Sequence, residues 1–440
     1  MIKQTVLGFK LERTDEGLTA HGGLALMAEY NRRLGLREWV DQLLPGSGSN
    51  RGYAPSVFVE SLVMMLQGGG RHLEDLRELD SEGALMDLIG LHKIPDSDTT
   101  GDWLRRMGDP EGEQSGLTGL GAVRDRITHR ILEQDGRTEY TLDADATGVV
   151  AEKRDAKWTY KGNQGYMPML GFLFETPVCL MDEFREGNIS PGSGQLAFYE
   201  GCKKKMPAGK WIARYRADSA SYVAELINQL ELDGVRWAIT ADQDSAVKAL
   251  IRAIPEGEWK EPKAGCGYAI AEGVHTMNKT DQAFRLVIKR ELRHGQRDLF
   301  EEAEGVYFYH AVASNWLVEE KNAFAVLAWH NQRGQAENFN KELKIGFGME
   351  QMPCGQFGAN AVFFRIGVIA YNLFIGLKRN VCPSDCQSQT IGTFRWRLIQ
   401  VAGRIVRHAG RMILRLSVDA QRLLAFEEIR RRSFRLSFAT

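Results

Sequence analysis

The sequence predicts an α/β domain with a mixed sheet, flanked by helical N-terminal and C-terminal regions. Three observations carry this. Short apolar and β-branched runs recur between Thr138 and Ala217; Ser221 to Ala241 has helix-spaced apolar residues followed by a strand; and the stretches before 130 and after Ala359 have helical spacing.

Taken in order, residues 1–130 read as short helices. Ser56 can cap a helix whose Val57, Val59, Leu62, Val63 and Leu66 run to Gly68-Gly69-Gly70, where it must stop. Further helices are expected around Leu73–Leu79 and Leu85–Ile89, and the Pro95 cluster of IPDSDTTGDWLRR punctuates before Trp103 and Leu104. Such a bundle suits DNA binding and equally a helical adaptor. Strands are expected at Thr138–Ala144, Tyr166–Phe174, Val178–Met181 and Trp211–Ala217, three of them as a meander. Ser221–Leu232 is a helix that Gly234 stops, and Val235–Ala241 is a strand. Residues 245–305 are mixed, with glycine and proline breaks. His310–Ser314 is one more strand, Asn322–Lys344 a long helix, and everything beyond Ala359 helical.

Composition narrows the class. Of 440 residues, 43% are hydrophobic and 26% charged, which excludes disorder as the dominant state. The six cysteines include no CxxC pair, so neither a disulfide framework nor a zinc site is expected. The N-terminus has no apolar signal core. The longest apolar stretch, Ala361–Leu377, is broken by Arg365 and Asn372 and reads as too short for a membrane span. A soluble cytoplasmic protein is expected.

Three acidic positions stand out. In TLDADAT, Asp143 and Asp145 share one strand face, where carboxylates are costly unless paired or metal-bound. Asp218 ends a strand just before a helix, where α/β sheets present functional groups; a helix N-cap is the other reading. In HNQRGQAENFNKELK, His330, Arg333, Glu337 and Lys344 fall within a helix stripe about 60° wide, which is also compatible with a solvated charged face. Carboxylate oxygens suit Mg²⁺ or Mn²⁺, and two such ions support in-line displacement at phosphorus. HExxH, GxSxG and GxxxxGK[ST] motifs are absent.

LDADAT at 142–147, RADSASYVAELINQL at 216–230 and HNQRGQAENFNKELK at 330–344 together resemble the insertion-sequence transposases of the DDE class, in particular the thirteen-eighty group of bacterial insertion sequences. HGGLALMAEYNRRLGL and RGYAPSVFVESLVMMLQGGGRHLEDLREL share that resemblance. It implies a ribonuclease-H-like catalytic domain with a mixed five-stranded sheet. It also implies that Asp218 and Glu337 are the second and third metal-binding carboxylates. Asp145, followed by Ala146 and Thr147, is favoured as the first, with Asp143 as the alternative. His330 stands where the family pattern Tyr-x2-Arg-x3-Glu-x6-Lys has tyrosine; with Arg333 and Lys344 it is expected to contact DNA.

Glu337 lies 119 residues after Asp218, more than one helix and one strand require, so an inserted subdomain is expected at 245–305. In relatives an aromatic residue of this insertion stacks on a flipped base; Trp259 is the candidate, with a core tryptophan as the other reading. The resulting division is 1–130 (DNA-binding helices), 131–244 and 306–355 (catalytic domain), the insertion, and 356–440 (basic helical region). The implied activity is two-metal, Mg²⁺- or Mn²⁺-dependent cleavage of terminal inverted repeats and joining of 3′ hydroxyls to target DNA. It would be carried out by at least a homodimer on double-stranded DNA in the bacterial cytoplasm, with no membrane partner. A nuclease without strand transfer and a non-catalytic DNA-binding descendant are the rivals.

The net charge of −1 does not exclude DNA, because the basic residues are concentrated. Residues 391–440 carry eleven arginines against Asp419, Glu427 and Glu428, and Lys203, Lys204, Lys205, Lys210, Arg214 and Arg216 lead into Asp218.

Overall fold

The computed structural model describes residues 10–46, 52–109, 116–292 and 307–438. The first nine residues and the last part of the expected insertion, 293–305, lie outside the described residues.

The N-terminal part comprises a two-residue strand β1 (Leu18–Thr19) and helices α1 (Leu24–Arg33), α2 (Leu36–Leu43), α3 (Pro55–Gly68), α4 (Leu76–Ser81), α5 (Gly83–Leu88), α6 (Ser97–Met107) and α7 (Gly116–Glu133). Ser56 does not cap α3. Pro55, whose fixed φ suits a first helical turn, starts it, and the Ser56 hydroxyl donates to Asp41 at 2.8 Å. The helix stops at Gly69, whose φ of +116° few side chains tolerate. Asp96 caps α6 by accepting from the Thr99 N–H at 2.7 Å.

The middle of the chain contains β2 (Glu139–Ala146), β3 (Val149–Val150), β4 (Lys157–Trp158), β5 (Gln164–Tyr166), β6 (Met169–Leu173), β7 (Cys179–Glu183), α8 (Gln195–Lys204), β8 (Trp211–Ala217), α9 (Ala224–Leu232), β9 (Arg236–Thr240), α10 (Ser245–Ala253), β10 (Tyr268–His275), β11 (Phe284–Leu292) and β12 (Tyr307–Ser314). Among the described residues eight of these strands form one mixed sheet in the order β10-β11-β12-β9-β8-β2-β6-β7. β2, β6 and β7 are the expected antiparallel meander; β8 runs parallel to β2, and β9 parallel to β8. The apolar run Tyr166–Phe174 is split between β5 and β6 around Pro168, which lacks a ladder donor.

The sheet is larger than the five strands expected. β12 pairs antiparallel with β9, β11 with β12, and β10 with β11. The described part of the 245–305 segment therefore continues the central sheet at its edge. β3, β5 and β4 form a separate small sheet within the excursion that links β2 to β6.

The remainder contains α11 (Ala323–Asn331), α12 (Gly334–Lys341), α13 (Phe357–Asn380), α14 (Ile391–Phe394), β13 (Gly403–His408), β14 (Arg411–Leu416) and α15 (Ala420–Arg435). The region beyond Ala359 is thus not wholly helical. Ala409 and Gly410, with φ of +48° and +74°, make a two-residue hairpin turn between β13 and β14, and β1 adds a third strand.

The Ala361–Leu377 stretch belongs to α13, which by length and composition alone could cross a membrane. In the fold it is the central core helix, and 94% of its apolar window is buried in protein. Its polar groups bond inside the molecule: Arg365 Nε donates to Asp182 at 2.9 Å and Asn372 Nδ2 to the Cys179 carbonyl at 2.9 Å. α13 packs on α3, α6 and α7 and also touches β7, so one apolar cluster runs from Leu24 to Leu436. All six cysteines are free thiols.

Candidate active site

Alternation along β2 places Asp143 and Asp145 on one face, but their surroundings differ. Parallel register sets Asp143 opposite Arg216 of β8. Arg216 donates through Nε and Nη2 to Oδ1 and Oδ2 at 2.7 and 2.8 Å, with neither side chain exposed. The guanidinium also lies 4.3 Å from the Phe174 ring centre and donates to the Trp329 carbonyl at 2.9 Å. A buried carboxylate needs such a partner, and this one has both oxygens engaged.

Asp145 lies two residues on, half-buried near the end of β2. One oxygen accepts from Asn340 Nδ2 at 2.5 Å. Burial, and after it the charge of Asp218, push this carboxyl up to about 6; Arg333 and Lys161 oppose the rise and Glu337 adds to it. Asp218 follows β8 directly. Its Oδ1 accepts from the Ala220 N–H at 3.0 Å and caps the single turn Ser219–Ser221, while α9 has Val223 at its N-cap. Glu337, on α12, is 66% exposed, with Oε1 3.5 Å from Arg333 Nη2. The fold thus brings Asp218 and Glu337 within electrostatic reach of Asp145. Among the described residues, however, no group of three or more His, Cys, Asp or Glu is gathered closely enough to hold a metal ion.

The helix expected over Asn322–Lys344 is broken. Gln335 and Ala336 bond back to the carbonyls of Gln332 and Arg333, a tightening of the ladder around Gly334, and residues 342–346 widen into a π turn. The expected single stripe is therefore divided. His330 is buried, its Nε2 3.3 Å from the Ala217 carbonyl and 3.2 Å from the Thr240 hydroxyl, and burial pushes its ring down to about 3. Expected at DNA, it is a neutral interior residue behind the strand end. Arg333 keeps company with the carboxylates. Lys344 is half-buried and donates to the Gly148 carbonyl at 2.7 Å, tying its helix to the loop after β2. Trp259 is half-buried, with the Arg290 guanidinium 4.4 Å from its ring centre.

Two residues at the site were not singled out in the sequence. Asn340 lies three positions after Glu337 in ENFNKELK, and its burial on the inner side of α12 is what directs it at Asp145. Lys161, whose charge reaches Asp145, belongs to KRDAKWTYKGN, where aromatic and basic residues interleave.

A family model described as "Transposase DDE domain group 1" matches residues 8–435. No curated protein matches the chain. Among solved structures, the "Cryo-EM structure of piggyBac transposase synaptic complex with hairpin DNA" is similar with a TM-score of 0.47 and 12% identity, over 88% of this chain and 82% of that chain.

Proposed function

The chain belongs to the transposase DDE domain group 1 family, and from that premise we propose that it binds the terminal inverted repeats of its own insertion sequence, cleaves those ends and joins the released 3′ hydroxyls to target DNA. The observation that carries the chemistry is the carboxyl of Asp145. It stands apart from the Arg216–Asp143 pair and accepts from Asn340 on one oxygen, and burial, with the charge of Asp218 after it, raises its affinity for a proton. A divalent cation would relieve the same repulsion, and the three carboxylates supply hard oxygen donors for one once Glu337 joins Asp145 and Asp218.

Asp145, Asp218 and Glu337 would hold two Mg²⁺ or Mn²⁺ ions, which when bound supply Lewis-acid activation of the attacking and leaving oxygens. Glu337 is the member that has to turn inward from solvent. Asn340 orients Asp145. Arg333 and Lys344 stand on either side of Glu337 in sequence, and as cations they would hold phosphates of the bound DNA. Water is the first nucleophile and the freed 3′ hydroxyl the second. Both steps are the same displacement at phosphorus, so one site serves both.

We read the strands β7-β6-β2-β8-β9 as a ribonuclease-H-like core: an antiparallel meander whose first strand pairs in parallel with the next two-strand unit. Residues 1–130 and 356–440 would grip the two ends, and joining two ends calls for at least a dimer on DNA in the bacterial cytoplasm. The test is incubation of labelled DNA from the borders of the reading frame with a target plasmid and Mg²⁺. Joined products are expected. Hydrolysis without joining would identify a nuclease, and binding without either, unaffected by Asp218→Ala or Glu337→Ala, a non-catalytic DNA-binding protein.

A further inference from the structure

Two large aromatic side chains stand exposed next to the candidate active site, Trp158 at 65% and Tyr160 at 68%. Trp158 ends the short strand β4 and Tyr160 stands in the turn that follows it, with Thr159 buried between them. They belong to the excursion between β2, which carries Asp145, and β6, whose Leu170 is the register partner of Asp145. The chain leaves the sheet just after Asp145 and returns to it beside Asp145.

The exposure is built. The Thr159 N–H donates to the Asn163 carbonyl at 2.8 Å and its hydroxyl to the Asn163 side chain at 2.6 Å, around Gly162 at φ +78°. At the base, the Asp155 N–H donates to the Gly355 carbonyl at 3.0 Å, and the Asp155 carboxylate accepts from the Phe357 N–H at 3.1 Å. Gly187 backs the sheet so closely that a Cβ there would lie 2.5 Å from the Lys157 carbonyl. A backbone fixed this way sets where the two rings project, so less conformational entropy is lost when something stacks on them.

The surrounding charge selects the occupant. From 152 to 163 the chain carries Lys153, Arg154, Lys157 and Lys161 against Glu152 and Asp155. Lys161 lies 5.5 Å from the Tyr160 ring centre, and its charge acts on both Asp145 and Lys344. Apolar rings beside cations and a phosphate-processing site match a base face with its phosphate. We infer that Trp158 and Tyr160 form a stacking platform for unpaired nucleotides flanking the cut, with Lys161 on the adjoining phosphate. This rests on the reading of the chain as a DNA-processing protein.

The test uses the full-length chain, without divalent metal, and anisotropy of a labelled blunt duplex against the same duplex with a three-nucleotide single-stranded overhang. The wild type should prefer the overhang by roughly tenfold or more. Trp158→Ala/Tyr160→Ala should abolish that preference and leave the blunt duplex bound, and Trp158→Phe/Tyr160→Phe should restore it. A preference unchanged in the alanine variant overturns the platform, as does equal loss on both duplexes. A wild-type dimer that the alanine pair turns into monomers without DNA also overturns it, marking a protein interface instead. If the wild type binds neither duplex, the DNA reading itself fails along with the platform.

Discussion

Arg216 donates to both carboxylate oxygens of Asp143 from the neighbouring parallel strand, and both side chains are fully buried. Two aspartates on one strand face thereby acquire opposite relations to stability. Asp143→Asn leaves a guanidinium buried without its counter-charge and should destabilise the fold by about 3–5 kcal/mol. Asp145→Asn removes a carboxylate that Asp218 repels, so it should leave stability unchanged or raised while ending strand cleavage. Urea unfolding and end cleavage on the same two variants check this. A stable, inactive Asp143→Asn with an active Asp145→Asn would reverse the assignment.

The second buried acid, Asp182, works on the acid limb of stability. Burial acts to raise its carboxyl, but Arg365 and Arg124 outweigh burial and hold it below its ordinary value. A depressed carboxyl contributes stability that is fully present above the unfolded value, about 3.9, and is lost as pH falls through the folded value. Asp182→Asn should therefore cost about 3–5 kcal/mol at pH 7, and the gap to wild type should close below about pH 4. Denaturant midpoints measured from pH 7 to pH 3 would show it; a gap that does not narrow would contradict this role.

His330 makes a prediction of the same kind from the other direction. Its ring is pushed down to about 3 by burial. The unfolded chain then takes up a proton that the folded chain refuses, so stability falls as pH drops from about 6.5 toward that value. His330→Phe keeps the ring volume and removes the titration, so its stability should vary less than wild type between pH 7 and pH 5. Its DNA affinity at neutral pH should equal wild type's, since the native ring faces the Ala217 carbonyl and the Thr240 hydroxyl.

The mixed sheet and both aspartate pairs of elements were legible because period-2 patterning survives in TLDADAT and RYRADSA. What held Asp143 was not, since its partner is 73 residues away and becomes one only through parallel register. The stripe from His330 to Lys344 misled for a local reason. Ideal 100° spacing assumes an unbroken helix, and the ladder tightens at Gly334 and widens at 342–346. The five-strand expectation fell short because β10 and β11 lie in a segment punctuated by glycine and proline breaks, and they join the sheet through β12, which pairs with β9. The hairpin at 403–416 was hidden by its arginines, which read as a basic helix until Ala409 and Gly410 turn the chain.

That hairpin supports the last prediction. Register places Arg404 directly opposite Arg415 on the side that faces solvent. Like charges in cross-strand pairs cost roughly 0.2–1 kcal/mol each, a cost that Glu16, 2.9 Å from Arg404, offsets on one side only. A polyanion laid across this face would turn the cost into binding. Arg415→Glu should accordingly have effects of opposite sign: the hairpin gains a pair with Arg404 and the protein becomes slightly more stable, while DNA binding weakens. Arg415→Ala should lower the slope of log affinity against log salt by about 1, the amount expected for one lost phosphate contact. Titrations at several salt concentrations beside thermal unfolding separate these effects. An unchanged salt slope in both variants would remove the hairpin from the DNA-binding surface and leave its opposed arginines without an occupant.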